Sequence, residues 1–452
     1  MYVRTLSIQN LRCFAKVKLE LNHPGREQPL RSDTIRHLPN VTLLLGDNGA
    51  GKTTVLRAIA LGALAPVMAM SSGFVPFSLV RRTKLKTAAR ARIEAGLLLD
   101  EHEGEHTGEE SQTLTLRPLS DFNDLIETLD FPHSANIRKR LYDEREPAYF
   151  ILGYSANRRV EPYRNVDESS RYKVRSPKYL RVAGLFEENV TLMPLSVWLP
   201  QLRRHESAHF REAIDLINRM LPAGAKLLGN PRHDEYLFRI GGSDLPFAAL
   251  SDGYRAHVGW ISDLLYHLSR SCPPRRKLVD LRGVVLVDEI DLHFHPQWQR
   301  QAVPKIAQAL PNLQFVFTTH SPIVTGTLSS ANVLLVRECI DKNGISRSVI
   351  ESPDEELYGL SADQILTSNI FGLDSTRDSD FFGRLQTAAR EARAGGPEAA
   401  IRYMRMVSAG AAAEDSTPPP SRRKVSPLRK KRTVARATSL SHKRTQRAKD
   451  RG

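Results

Sequence analysis

Val41-Thr-Leu-Leu-Leu-Gly46-Asp-Asn-Gly-Ala-Gly51-Lys52-Thr53-Thr54 is an apolar run that ends in glycines and then enters a helical pattern. The run reads as a buried strand and the glycines as a phosphate-binding loop. In the spacing Gly46-x4-Gly51-Lys52-Thr53, glycines let backbone N–H groups converge on phosphate. Lys52 then reaches the β- and γ-phosphates and Thr53 holds Mg²⁺. Gly46, Asn48, Gly49, Gly51, Lys52, Thr53 and Thr54 are the expected triphosphate contacts. The helix expected from Thr54 to Leu64 adds its N-terminal dipole.

Four other stretches place polar residues at strand ends or helix starts. Val284-Val-Leu-Val-Asp288-Glu289 is an apolar strand closing on two acids, the form taken by a Mg²⁺-holding Asp in a parallel sheet. Ile290 to Pro296 follows and opens a helix through Leu310. Gln314-Phe-Val-Phe-Thr-Thr-His320-Ser is a second buried strand, with His320 expected at the same crevice. Ala148 to Tyr154 is a third, leading to Arg158 and Arg159; these face phosphate or solvent equally well. Leu250-Ser251-Asp252-Gly253-Tyr254-Arg255 precedes helical periodicity from Val258 to Leu268. There Ser251 suits an N-cap, and Gly253 allows close backbone approach.

A chain of 452 residues can bury a large core and carry extensions. Of its formal charge of +15, residues 417–452 hold +12, with thirteen Lys/Arg and one acid. The body is therefore nearly balanced and the tail strongly basic. Cys13, Cys272 and Cys339 lie far apart without metal-ligand spacing, which fits a reducing cytoplasm. No stretch approaches the ~18 apolar residues of a membrane span.

Residues 2–21 alternate around a turn near Asn10 to Phe14, a hairpin or two edge strands. Ala89 to Asp100 and Gln112 to Leu116 are strand-like and flank an acid- and His-rich loop, read as solvated rather than metal-binding. Residues 121–144 read as two short helices and 161–188 as a mobile connection. Leu195 to Met220 is helical, residues 225–249 form short strands, and Asp380 to Met406 reads as one charged helix. From Ser421 onward no apolar period exists, so a disordered basic tail is expected.

The order of motifs, phosphate loop, Leu-Ser-Asp-Gly, Asp288-Glu289, Thr319-His320, resembles the ABC-type ATPase heads of the RecF, SMC and OLD (overcoming lysogenization defect) families. Leu6-x-Ile8-x-Asn10-Leu11-Arg12-Cys13-Phe14 looks like the N-terminal strand of that group. Asp288-Glu289-Ile-Asp291-Leu-His293-x-His295-Pro296 and Thr318-Thr319-His320-Ser321-Pro322 resemble its OLD-like branch. Leu360 to Leu366 and Phe371 to Arg377 look most like the Septu-type antiphage ATPase subunit. The resemblance implies an α/β, ABC-type (RecF/SMC-like) P-loop ATPase head with an inserted helical subdomain and the basic tail. Its parts would be an N-terminal lobe (1–160), the insertion (161–224), a C-terminal lobe (225–375), a helical region (376–412) and the tail (413–452).

By the same resemblance the cofactors are ATP and Mg²⁺. Thr53 and Asp288 would hold the metal, Lys52 neutralise phosphate, Glu289 polarise water and His320 sense the γ-phosphate. Ser251 and Gly253 would serve nucleotide on a second head, giving a homodimer or larger homo-oligomer with Asp291 at its interface. Asp252 and Tyr254 depart from the usual signature, so slow hydrolysis is expected. The loop after Tyr154 lacks the usual Gln. Asp378-Ser379-Asp380 has the spacing of a Toprim nuclease but follows a polar stretch, so nuclease chemistry is expected in a separately encoded HNH-type partner. The tail at 417–452 suits nucleic acid. A DNA-repair ATPase without a nuclease partner and an ATP-sensing scaffold with negligible turnover are the alternatives.

Overall fold

The computed structural model describes residues 1–26, 38–70, 72–84, 87–99, 108–120, 122–127, 149–158, 175–232, 235–273, 275–342 and 344–409. Within them the strands in chain order are β1 (Tyr2–Leu11), β2 (Phe14–Glu20), β3 (Val41–Leu45), β4 (Ala91–Leu99), β5 (Gly108–Ser120), β6 (Asn123–Glu127) and β7 (Ile151–Tyr154). There follow β8 (Ala225–Leu227), β9 (Leu237–Ile240), β10 (Ser243–Pro246), β11 (Gly283–Val287), β12 (Leu313–Thr319), β13 (Val333–Ile340) and β14 (Ser346–Glu351). Two units separate at Thr376 and Arg377.

β3, the apolar run before the phosphate loop, lies inside a six-stranded sheet of order β14-β13-β3-β12-β11-β7. Every pairing in it is parallel except β13 with β14. Parallel strands covered on both faces need continuous apolar runs, and β3, β11 and β12 are buried along their whole length. Leu45 stands opposite Thr319, and Val287 opposite both Phe317 and Tyr154. The carboxyl ends of β3, β12, β11 and β7 therefore finish along one edge.

Strand alternation divides the sheet's side chains between two cores. Leu43, Leu45, Val285, Val287, Phe315 and Phe317 face one core, shared with the helices Leu195–His205, Ser207–Met220, Asp252–Ser271 and Ala302–Ala309. Leu44, Ile151, Val284, Leu286 and Val316 face the other, shared with the helix Lys52–Ala63 and a second sheet. That sheet, β2-β1-β4-β5-β6, is wholly antiparallel. The helix Lys52–Ala63 touches both sheets, and all its residues but Thr53 and Arg57 are buried. A helix apolar on every side needs such a double cover. Truncating Leu56 or Ile59 to Ala is expected to cost about 2–5 kcal/mol.

Buried amides join the layers. Gln314 on β12 accepts from Val3 N (2.8 Å) and donates to Val3 O (2.7 Å) and Asn22 O (2.8 Å), so its side chain pairs β1 as a strand would. Asn332 donates to Leu38 O (2.7 Å) and Val41 O (2.8 Å), fixing the start of β3.

Several expectations are corrected. Asn123–Glu127, expected to be helical, is the edge strand β6 paired with β5; its buried Asp124 is accommodated because its carboxylate accepts from Leu79 N (2.6 Å) and Val80 N (3.0 Å) and pairs with Arg82 (2.7 Å). Beyond Glu127 the expected helical stretch lies outside the described residues. The expected connection at 161–188 contains, from Ser176 onward, short helical turns with Lys178 and Tyr179 fully buried. The helix expected from Pro296 to Leu310 is two pieces, Pro296–Gln299 and Ala302–Ala309.

In the second unit, the single helix expected from Asp380 to Met406 is two, Ser379–Ala394 and Pro397–Ala409, broken at Gly395-Gly396-Pro397. Phe381, Leu385, Ala388 and Met406 make its core. Asp378 caps the first helix by accepting from Asp380 N and Phe381 N, both at 3.1 Å. The disordered-tail expectation for residues beyond 409, and the loop at 100–107, lie outside the described residues. Among the described residues no helix is long and apolar enough to cross a membrane.

Candidate nucleotide site

The turn from Gly46 to Gly51 lies at the shared edge. Gly51 adopts φ 110°, and a Cβ there would lie 2.5 Å from Cys13 Sγ, so only glycine turns the chain into the helix at this point. Its removal of bulk lets the helix start at Lys52, two residues before the expected Thr54. Asn48 and Gly49 are exposed at the loop tip, while Thr54 is buried. Lys52 Nζ donates to Gly46 O (2.8 Å) and Asp47 O (3.0 Å). Burial lowers its pKa, and Asp288, Glu289, Asp47 and Asp291 oppose that shift.

A chain of short bonds joins three strand ends. Thr53 Oγ1 donates to Asp288 Oδ2 (2.7 Å), and Thr318 Oγ1 donates to Asp288 Oδ1 (2.6 Å). Thr318 Oγ1 also accepts from Glu289 N (2.7 Å). Thr319 donates to Asp291, and Ser321 Oγ to Gln299 Oε1 (2.7 Å). His320 is half-buried beside this group. Burial lowers its pKa and the Lys52 cation adds to the effect, against Glu289, Asp291 and Asp47.

The oxygens fit a hard cation. Thr53 Oγ1 and Asp288 Oδ2 stand 2.7 Å apart, close to the ~2.9 Å between neighbouring ligands of an octahedral Mg²⁺. The carboxylates Asp47, Asp288, Glu289 and Asp291 interact with Lys52, and Arg158 and Arg57 are further cations close to Asp288. This excess of acid repels a bare triphosphate and favours one that brings a divalent ion.

Arg158 turns away from the phosphate loop. Its guanidinium donates to the main-chain oxygens of Asp288 (2.5 Å), Glu289 (2.8 Å) and Ser155 (3.2 Å). Burial pushes its pKa down to about 10, still cationic at neutral pH. Arg159 lies outside the described residues. On the far side of Arg158 is a cavity of about 340 Å³, lined by Tyr154, Asn157, Arg158, Arg181, Asp263 and His267 among others.

Ser251 occupies the N-cap position of the helix Asp252–Ser271, which starts six residues before the expected Val258, but its hydroxyl makes no capping bond. Asp252 pairs with Arg255 instead, and both Ser251 and Asp252 are exposed. A Cβ on Gly253 would lie 2.6 Å from His293 O. The close approach read from the sequence is thus made by this chain's own backbone. Tyr254 packs edge-on against Trp298 at 4.1 Å between ring centroids.

Thr318 and Arg158 carry geometry that the motifs did not assign. Their partners lie 30 and 130 residues away, so no local spacing announces them. The buried Tyr154–Asp263 bond (2.9 Å), which ties the end of β7 to the helix Asp252–Ser271, is equally silent in the sequence.

Residues 41–325, more than half of the chain, match the family described as "AAA domain, putative AbiEii toxin, Type IV TA system". The chain belongs to this AAA-domain family. Its head is an α/β P-loop fold. "Septu protein PtuA" of Bacillus mycoides (strain KBAB4) is 24% identical over 347 residues, which are 74% of this chain and 41% of that protein. "Retron Vc95 probable ATPase" of Vibrio cholerae serotype O1 biovar El Tor is 34% identical over 125 residues, 28% of this chain and 23% of that one. The AAA-domain chain thus spans less than half the length of these curated relatives. A solved structure, the SmcHead bound to the C-winged helix domain of ScpA, is similar over 78% of this chain and 98% of its own, with TM-score 0.44 and 16% identity.

Proposed function

We propose that this chain binds ATP with Mg²⁺, hydrolyses it slowly, and acts as the nucleotide-dimerising regulatory subunit of an antiphage defence complex. The cluster Thr53–Asp288–Thr318–Glu289 is the observation that carries the reading, because it joins a phosphate loop, a metal-holding carboxylate and a second acid through bonds of 2.6–2.7 Å. Bound Mg²⁺ would supply charge neutralisation to the triphosphate. Lys52 exchanges its carbonyl partners for β/γ-phosphate oxygens, a stronger charge-assisted pairing. Glu289 orients water and accepts its proton. His320, held neutral by burial, contacts the γ-phosphate.

The exposed Ser251, with a hydroxyl that caps nothing, supports the reading that a second copy's nucleotide takes it, with Asp291 near that interface. Asp252 beside it disfavours phosphate and supports slow turnover. Similarity to a Septu protein supports a separately encoded HNH-type nuclease as the controlled partner. Residues 161–224 are read as the insertion between two lobes, 417–452 as a nucleic-acid contact, and the cytoplasm as the compartment.

Phosphate release by the full chain and by Glu289→Gln tests the hydrolytic part. A loss of roughly 100-fold in the variant is expected, whereas equal rates would remove catalysis from the account. Co-expression with the neighbouring genes and mass measurement of the purified complex tests the partner; recovery of a homo-oligomer alone would count against a nuclease.

A further inference from the structure

Glu289 is not glycine, yet its φ is 48°. Left-handed backbone is strained for a non-glycine residue and persists only where the surroundings over-determine it. Two peptide planes meet at its Cα, and their relative rotation is its φ and ψ. Arg158 Nη1 donates to the carbonyl of the first plane, Asp288 O, and Nη2 to that of the second, Glu289 O. One rigid fork therefore holds both planes at once. The opposite side is held by Thr318, whose Oγ1 accepts from Glu289 N (2.7 Å) and whose carbonyl accepts from Ile290 N (3.0 Å).

We propose that Arg158 is a positioning residue for hydrolysis, clamping Glu289 in the left-handed conformation that presents its carboxylate to the attacking water. The proposal rests on the hydrolytic reading above. The chemistry favours arginine specifically. A planar guanidinium donates two parallel bonds with fixed spacing, whereas a lysine ammonium is a single flexible point charge. Arg158 also stands in the loop after β7, where the resemblance places a Gln that this chain lacks. Its job there is on protein backbone and not on the metal. Because Arg158 borders the 340 Å³ cavity, a shorter side chain leaves room that a small guanidinium compound can enter.

The test is steady-state turnover and Mg·ATP affinity of the full chain with Arg158→Met, Arg158→Lys and Arg158→Ala, each also combined with Glu289→Gln. A misplaced base is expected to lower kcat about 10–100-fold in Arg158→Met, with Kd for Mg·ATP within about threefold, and Arg158→Lys falling between. In the Glu289→Gln background Arg158→Met should add less than a twofold loss, since a residue acting through another does not add to its removal. Ethylguanidinium should raise the turnover of Arg158→Ala severalfold where equal ammonium chloride does not; this arm decides if Arg158→Met fails to fold.

Unchanged kcat in Arg158→Met, an equal loss in both backgrounds, or no rescue of Arg158→Ala would overturn the clamp while leaving hydrolysis by Glu289 intact. Equal turnover in wild type and Glu289→Gln would instead overturn the hydrolytic reading itself.

Discussion

The turn from Gly46 to Thr53 and the turn from Ser251 to Arg255 each start a long buried helix, but their polar groups are used differently. In the first, Gly51 makes the left-handed corner, Lys52 is bonded to two carbonyls of its own loop, and Thr53 is bonded to Asp288. In the second, Ser251 makes no capping bond, Asp252 pairs only sideways with Arg255, and Gly253 is pressed against His293 O. In the first turn the lysine and threonine are held by contacts from their own chain while Asn48 and Gly49 stay exposed at the tip; the second is rigid behind and exposed in front. A motif of glycine before a helix thus covers two physical situations, a cradle and a contact face.

The largest expected effect breaks the cradle. Lys52→Ala should reduce ATP affinity or turnover by roughly 100-fold or more, since a fixed charge aimed at phosphate is lost; isothermal titration with Mg·ATP and phosphate release measure it. Next, Ser251→Arg should leave ATP binding by a single copy unchanged and reduce nucleotide-dependent dimer formation and turnover about tenfold, as a bulky cation fills the contact face. Mass photometry with ATP in the Glu289→Gln background would read this. Loss of single-copy binding would instead mean that the turn belongs to its own chain's nucleotide site.

A pH titration sharpens the comparison through His257, in the second turn of the second helix. Burial pushes its pKa from 6.5 down to about 4, with Arg158 and Lys305 adding to the effect and the Met220 carbonyl bond opposing it. The neutral ring is the folded form, so its contribution is complete above the unfolded value and is lost as pH falls from 6.5 toward 4. At roughly 1.4 kcal/mol per unit, the loss is up to about 3 kcal/mol. Urea denaturation of wild type and His257→Leu at pH 7 and pH 5 checks the sign, the variant showing the smaller change.

The smallest effect concerns capping. Ser361, the N-cap of the helix Ala362–Thr367, accepts from Gln364 N (3.3 Å) in a complete capping box, whereas Ser251 caps nothing. Ser361→Ala should cost about 1 kcal/mol and Ser251→Ala only a few tenths, measurable by thermal unfolding.

The cradle was legible in the sequence because its parts are contiguous: the eight residues from Gly46 to Thr53 carry the loop, the lysine and the hydroxyl. Strands β3, β11 and β12 were legible for a different reason, since parallel strands buried on both faces leave unbroken apolar runs. The second turn was found but given a cap it does not make. Asp252, next in line, forms an ion pair that propensity does not weigh. Arg158 was left between phosphate and solvent, and neither holds, because its partners are main-chain atoms without sequence identity. The edge strand β6 was missed because Asn123-Asp-Leu-Ile-Glu127 lacks a clean two-residue alternation, and its pairing with β5 overrides that weak local signal.

The seating of β3 between β12 and β13 says something about time as well as place. Both neighbours of the phosphate-loop strand come from residue 313 onward, and β1 is pinned by Gln314, 311 positions from Val3. A ribosome that has released only the first half of this chain has made every residue of the cradle and none of the strands that hold it. Contacts of such sequence separation form late and slowly. On the reading proposed above, a partial chain would carry the loop residues without the neighbouring strands and without the Asp288–His320 region that completes the site.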